Sequence, residues 1–237
     1  MDNKSYIVQS VRTPIGSFGS QLANFSAPKL GSLVIKEIIN RMSLDKDKVE
    51  EVILGNVLSA GLGQAPARQA ALLSGLPNKV ECLTINKMCG SGLNAVMLAD
   101  QAISINSAGV IIAGGAESMS NAPYLIPKSI NRFGHKRMVD SMIHDGLWDV
   151  YNNMHMGNLA EMLAKERNFS REIQDEYSIH SYNRAQSALK NGYFSDEIVS
   201  IKNADGILID SDEEPSKVKY NKIPTIRPAF DKNGTIT

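Results

Sequence analysis

Asn86-Lys87-Met88-Cys89-Gly90-Ser91-Gly92-Leu93-Asn94-Ala95-Val96 joins two kinds of sequence. A short apolar run, Leu83 to Ile85, leads in and reads as a strand. A longer run, Leu93 to Ile105, follows and reads as a helix. Cys89 therefore falls at a helix start, where free N–H groups and the positive end of the helix dipole favour a thiolate. Gly90 and Gly92 permit a sharp turn and let a substrate come close to the backbone. Two readings of this cysteine fit the local pattern: an activated nucleophile, or a buried structural thiol before a tight turn.

Working outward, the first 115 residues alternate strand and helix signals. Tyr6 to Val11 reads as a strand. Pro28 to Arg41 reads as an amphipathic helix, with Leu30, Leu33, Val34 and Ile38 on one face and Ser26 as its cap. Val52-Ile53-Leu54 is a buried strand closed by Gly55, and Ala65 to Leu73 a small-residue helix ended by Gly75. Val110 to Ala113 is another apolar strand, closed by Gly114-Gly115. This order predicts an α/β fold with a largely parallel, buried sheet. From Ser118 the chain becomes rich in Asn, Met and charge. One long helix stands out, from a Ser170 cap to about Lys190 with Asn191-Gly192 as its stop. Ile173, Tyr177 and Ala188 fit one face of it, and Ala204 to Pro215 reads as an acidic turn. The helix after Cys89 is apolar nearly all round, which predicts burial from several sides in a complete fold and an exposed apolar face on this chain by itself. Asn233-Gly234 near the end is a hairpin signal.

The Cys-Gly-Ser-Gly turn resembles that of the thiolase family, and further motifs follow in the family's order. They are Val11-Arg12-Thr13-Pro14-Ile15-Gly16, Gly114-Gly115-Ala116-Glu117-Ser118-Met119-Ser120, Asp145 to Asp149, His155-Met156-Gly157, and Arg227 to Asp231 followed by Asn233 to Thr237. The resemblance covers essentially the whole chain and is closer to the short-chain acetyl-CoA acetyltransferase branch than to long-chain degradative thiolases. It implies a thiolase-like layered α-β-α fold: an N-terminal domain over residues 1–117 and an inserted loop domain over 118–237, with the C-terminal half absent.

The resemblance also implies chemistry: condensation of two acetyl-CoA molecules to acetoacetyl-CoA and CoA, and the reverse thiolysis, through an acetyl-Cys89 intermediate. Cys89 is then the catalytic nucleophile. Leu147, His155, Met156, Ala229 and Phe230 match positions that cradle the pantetheine arm of CoA. Met156 and Phe230 read equally well as core, and His155 alone reads as a structural histidine. The second catalytic Cys, the catalytic His and an Asn-held water belong to the family's C-terminal half, so the chain alone is expected to be inactive. No cofactor is implied beyond CoA thioesters as substrates, and a homo-oligomer, dimer or tetramer, is implied for the intact enzyme. Ser216 follows Pro215 where the family often carries Arg, with Lys217 and Lys219 just beyond.

Composition sets outer bounds. A chain of 237 residues with 43% hydrophobic and 21% charged content is ordinary for a globular protein. Lys plus Arg and Asp plus Glu number 25 each, so no global field favours nucleic acid or an anionic membrane. Apolar runs are too short to span a bilayer, and the sequence enters its first strand-like run with no room for a leader peptide. Two cysteines, Cys82 and Cys89, make neither a disulfide framework nor a metal site, so the expected setting is reducing and cytoplasmic. Cys82 reads as core. Lys128, Arg132, His135, Lys136 and Arg137 form a basic cluster, which reads as a solvated face or, by the resemblance, as a cationic tetramer-forming loop. Two other functions fit. Gly90-x-Gly92-x-x-Ala95 with Glu117 after the next strand fits a dinucleotide-binding oxidoreductase domain. A non-catalytic thiolase fragment that binds CoA or a partner chain is the other.

Overall fold

Three short strands pair side by side around the most apolar of them, whose Val-Ile-Leu run has no polar side to turn to water. In the computed structural model, which describes residues 4–128 and 133–237, they are β1 (Glu51–Gly55), β2 (Glu81–Ile85) and β3 (Ile111–Gly115). The sheet order is β2-β1-β3, all parallel, with Val52 opposite Cys82 and Ile112. Helices α1 (Ala27–Arg41) and α2 (Pro66–Leu73) cover one face. Ile35, Ile39, Val49, Val52, Ala67 and Ala70 form the core there. Each aliphatic side chain as fully buried as Ile35 contributes about 1.5–3 kcal/mol. Helix α3 (Ser91–Ser104) covers the other face through Ala95 and Ala99 against Ile53. The expected α-β-α layering is present.

The remaining described elements are small apart from two helices. Paired two-residue strands are β4 (Tyr124–Leu125) with β5 (Val139–Asp140), and β6 (Trp148–Asp149) with β7 (Met154–His155). Helices α4 (Met156–Glu166) and α5 (Arg171–Lys190) follow, then the pair β8 (Ile201–Lys202) and β9 (Leu208–Ile209). Ser170 caps α5 as expected, its side chain accepting from the Ile173 N–H.

Several expectations are corrected. Tyr6 to Val11 is not a strand: Tyr6 is 77% exposed, and the isolated bridge to Ile198 comes at Arg12, just after the segment. The buried face of α1 is Leu30, Ile35 and Ile39, with Leu33, Val34 and Ile38 only half-buried, and Ser26 makes no side-chain cap bond. On α5, Ile173 and Tyr177 are exposed. Polar contacts hold that helix instead, Arg171 donating to the carbonyls of Ile223 and Ile226. Helix α3, by contrast, shows the exposed apolar face expected of this chain by itself: Leu93 is 70% exposed and Met97 51%. The end of the chain turns at Asp231 to Gly234, and Glu161 accepts the N–H groups of Thr235 and Ile236 in place of a second strand. Arg132 lies outside the described residues.

Contacts cross the expected boundary at 117/118. Leu22 and Leu30 pack with Ile201 and Ile209. Arg12 pairs with Asp212 through two N–H donors at 2.7 and 2.9 Å, and its Nε donates to Glu197 at 2.6 Å. Within the acidic, turn-like segment Ala204 to Pro215, Asp212 and Glu213 are buried and form a clasp, while Asp205, Asp210 and Glu214 stay exposed. Burial pushes the Glu213 carboxyl up, but donors from Lys217, Ser20 and Ser17 outweigh it and bring it down to about 2. Burial likewise opposes ionisation of Asp212, yet Arg12 and the Ile15 N–H hold it below the usual carboxylate range.

A depressed carboxyl stabilises the folded chain above its unfolded value and loses that contribution as pH falls through its folded value. Urea midpoints should therefore drop as pH falls from 4.5, the ordinary glutamate value, to about 2 for Glu213. In Glu213→Gln the drop should be shallower. Equal pH dependence in the two proteins would refute the clasp's role.

Candidate active site

The Cys89 turn is held by its own short-range bonds. The Met88 N–H donates to Asn86 Oδ1 at 2.9 Å and the Lys87 N–H to Ser91 Oγ at 2.8 Å. Ser91 Oγ in turn donates to the Met88 carbonyl at 2.6 Å. Met88 takes a left-handed φ of 50°, a conformation a Met adopts only where its surroundings over-determine it. Gly90 occupies the N-cap of α3, and Cys89, one residue earlier, is exposed. The buried-thiol reading of Cys89 is thereby set aside. Cys82 is the half-buried one: it packs against the main core, and burial pushes its thiol up against an opposing pull from Arg68.

Close approach of backbone to backbone seats the turn. A Cβ at Gly55 would lie 2.6 Å from the Ser91 carbonyl carbon and 2.7 Å from the Gly92 nitrogen. One at Gly115 would lie 3.3 Å from both Gly92 Cα and the Gly55 carbonyl oxygen. The start of α3 thus rests directly on the ends of β1 and β3.

Glu117 separates the thiolase-like reading from the alternative dinucleotide-binding one. As the acid of a dinucleotide site it would need free oxygens. Here it accepts from Asn56 Nδ2 at 2.7 Å, the Val57 N–H at 2.9 Å and the Leu58 N–H at 3.1 Å. Both oxygens are engaged, which removes the ribose contact that the dinucleotide reading required.

Four of the five expected pantetheine residues come together at β7 and the start of α4. The His155 and Phe230 rings stack with centroids 4.9 Å apart and planes at 24°. His155 Nδ1 caps α4 by accepting from the Gly157 N–H at 3.0 Å, which leaves Nε2 as the ring's donor. Phe230 lies flat over Gly157, so that a side chain there would overlap its ring. Asn158 Nδ2 donates to the Phe230 carbonyl at 3.2 Å. Met156 is half-exposed beside them, and Ala229 is exposed with its N–H on the Ile236 carbonyl. Leu147 ends the turn Met142–Leu147 and precedes Trp148, the strand partner of His155. Gly157 and Asn158 were missed as supports, although the glycine of His-Met-Gly signals a close approach.

Among the described residues, no hydrogen bond, ion pair or ring contact joins Cys89 to this cluster. A cavity of about 750 Å³ runs along α4 and the last residues, lined by Asn158, Glu161, Met162, Phe169 and Thr235 among others. It includes neither Cys89 nor any of the five. Lys128, His135, Lys136 and Arg137 are exposed. Lys217 is engaged at 2.5 Å by Glu213, and Ser216 Oγ donates to the Glu213 carbonyl, so both are bound within the clasp. No group of three or more His, Cys, Asp or Glu among the described residues could hold a metal ion, and no described helix is long and apolar enough to cross a membrane.

A strand-turn-helix cysteine on a glycine-lined sheet end, with an aromatic-walled cluster in a following loop region, defines a class that comparison with known proteins then names. The family model described as Thiolase, N-terminal domain, matches residues 5–237. An acetyl-CoA acetyltransferase of Yarrowia lipolytica is 46% identical over 238 residues, covering 99% of this chain and 60% of that protein. The acetyl-CoA acetyltransferase of Cupriavidus necator is 48% identical, covering 98% of this chain and 61% of that protein. The crystal structure of Acat5 thiolase from Ascaris suum in complex with coenzyme A superimposes with a TM-score of 0.90 at 43% identity, over 96% of this chain and 59% of that one. The chain belongs to the thiolase family and spans about 60% of the length of these relatives.

Proposed function

We propose that this chain carries the acyl-accepting half of an acetyl-CoA C-acetyltransferase site. Cys89 attacks the thioester carbonyl of acetyl-CoA, the C–S bond to CoA breaks, and CoA leaves as its thiol once protonated. The acetyl group rests on Cys89 until a second acetyl-CoA, deprotonated at its methyl, attacks the acetyl carbonyl; a C–C bond forms, the C–S bond to Cys89 breaks, and acetoacetyl-CoA leaves the Cys89 thiolate behind. The backbone N–H of Cys89, at the helix start, would supply one donor for the oxyanion formed at each attack. His155, Met156, Ala229, Phe230 and Leu147 form the wall for the pantetheine arm. The observation that carries this reading is an exposed cysteine held in a bonded turn at a helix start, in a chain of this family.

The base for the second step and a second cysteine belong, on this reading, to the part of the relatives that the chain does not span. The intact enzyme is proposed to be a cytoplasmic homo-oligomer, and the 237-residue chain to stop at the acyl-enzyme. Incubation with acetyl-CoA, digestion and peptide mass analysis test this: an acetyl group should appear on Cys89. An unmodified Cys89 after prolonged incubation would refute it.

Short acyl groups are expected to be preferred, because the motifs Asp145 to Asp149 and His155 to Gly157 resemble the short-chain branch. The initial rate of Cys89 acylation by acetyl-CoA should exceed that by decanoyl-CoA by about tenfold or more, since a few methylenes are worth about 1–3 kcal/mol in discrimination. Equal or reversed rates would remove the short-chain assignment.

A further inference from the structure

Asn56 is 4% exposed and directly follows the central strand. Its N–H donates to the Ile85 carbonyl at 3.0 Å, at the end of β2. Its Nδ2 donates to the Ala116 carbonyl at 3.1 Å and to Glu117 at 2.7 Å, both just past β3. One residue thus ties together the ends of all three strands. Its Oδ1 is buried without a partner. Turning the amide over would set that oxygen against two acceptors, so the donor side is held toward Ala116 and Glu117 by chemistry. A buried amide oxygen left unpaired is costly, and nothing about packing alone requires Asn here.

The knot reaches both parts of the site. Ile85 leads straight into Asn86, whose Oδ1 accepts the Met88 N–H in the Cys89 turn. On the other side, Glu117 fixes the N–H groups of Val57 and Leu58. Leu58 Cδ2 lies 3.3 Å from the position a Cβ would take at Gly146, the neighbour of Leu147. We propose that Asn56 and Glu117 are positioning residues, a donor–acceptor pair that keeps the Cys89 turn in register with the turn carrying Leu147. The inference rests on reading Cys89 as the acyl acceptor, but its test uses no CoA compound, so the two can fail separately.

Hydrogen exchange by mass spectrometry on the 237-residue chain is that test. Asn56→Asp keeps the shape and sets a carboxylate against Glu117, and Glu117→Gln sets an amide against the donors. Either should speed exchange of amides in 86–91 and 142–147 by about tenfold or more while leaving α2 unchanged. The double variant N56D/E117Q restores one donor facing one acceptor between the two side chains, but leaves a carboxylate against the Ala116 carbonyl and an amide against the Leu58 N–H, so exchange should stay fast there too. A pair that only fills space would tolerate both isosteric changes. Unchanged exchange at 86–91, or a uniform rise that includes α2, would overturn the proposal. Should Asn56→Asp not fold, Glu117→Gln, which adds no charge, decides alone; unfolding of both is a whole-chain effect and counts against it.

Discussion

Replacing Cys89 with alanine should reduce labelling of the chain by acetyl-CoA to background, while Cys82→Ala should leave it unchanged. The two thiols differ in physical setting. Cys82 sits in β2 against the core, its Sγ 3.5 Å from the Val80 carbonyl, and burial pushes it up, away from the thiolate. A thiol held protonated is a poor nucleophile, since the thiolate is the reacting form. Cys89 is exposed, one residue before the N-cap Gly90 of α3 and outside the buried core clusters. Iodoacetamide provides a control that needs no recognition of CoA, and it should modify Cys89 well before Cys82. Intact mass of the two variants after each reagent is the measurement. Acetyl label that persists in Cys89→Ala, or that disappears in Cys82→Ala, would reassign the nucleophile.

The parts of this molecule that were legible in the sequence are those whose chemistry is local. Val52-Ile53-Leu54 and Val110 to Ala113 are apolar without alternation, which only a strand buried on both faces tolerates, and both lie in the parallel sheet. Ser170 and Asn191-Gly192 bracket α5 because caps and stops act within one turn. What was not legible depends on distant partners. Tyr6 to Val11 has strand-like composition, but a strand also needs a neighbour, and Arg12 is instead drawn to Asp212, 200 residues away. Ile173 and Tyr177 looked like a core face on α5, whereas that helix docks through Arg171 and Gln186 bonding to backbone carbonyls. Glu117 matched a ribose-binding acid by spacing alone. Nothing in its own neighbourhood reveals that Asn56, Val57 and Leu58 consume its oxygens. The Cys89 turn was readable because its bonds, from Asn86 to Ser91, all fall within six residues.

Gly55→Ala should destabilise the chain by about 3 kcal/mol, the upper end for overpacking, because the atoms in the way are backbone. The added Cβ would stand 2.6 Å from the carbonyl carbon and Cβ of Ser91, and 2.7 Å from the Gly92 nitrogen. No rotamer change relieves such a clash. Either β1 or the start of α3 must shift, and β1 is fixed between two parallel neighbours. The helix start is the part that can move, carrying Gly90 and Cys89 with it. Thermal melting of a chain this size should then fall by about 10 °C. The shift also carries a functional signature. A displacement of about 1 Å at a reacting group can cost on the order of a hundredfold in rate, so acetylation of Cys89 should slow far more than the small loss of folded protein explains. Gly114→Ala is the matched control, since a Cβ there would meet only Leu54 Cδ2, at 4.0 Å, and it should change neither melting nor labelling appreciably. If Gly55→Ala melts like the parent chain, the close seating of α3 on β1 does not hold the fold. If it melts lower yet labels at the parent rate while folded, the position of Cys89 does not depend on that seating.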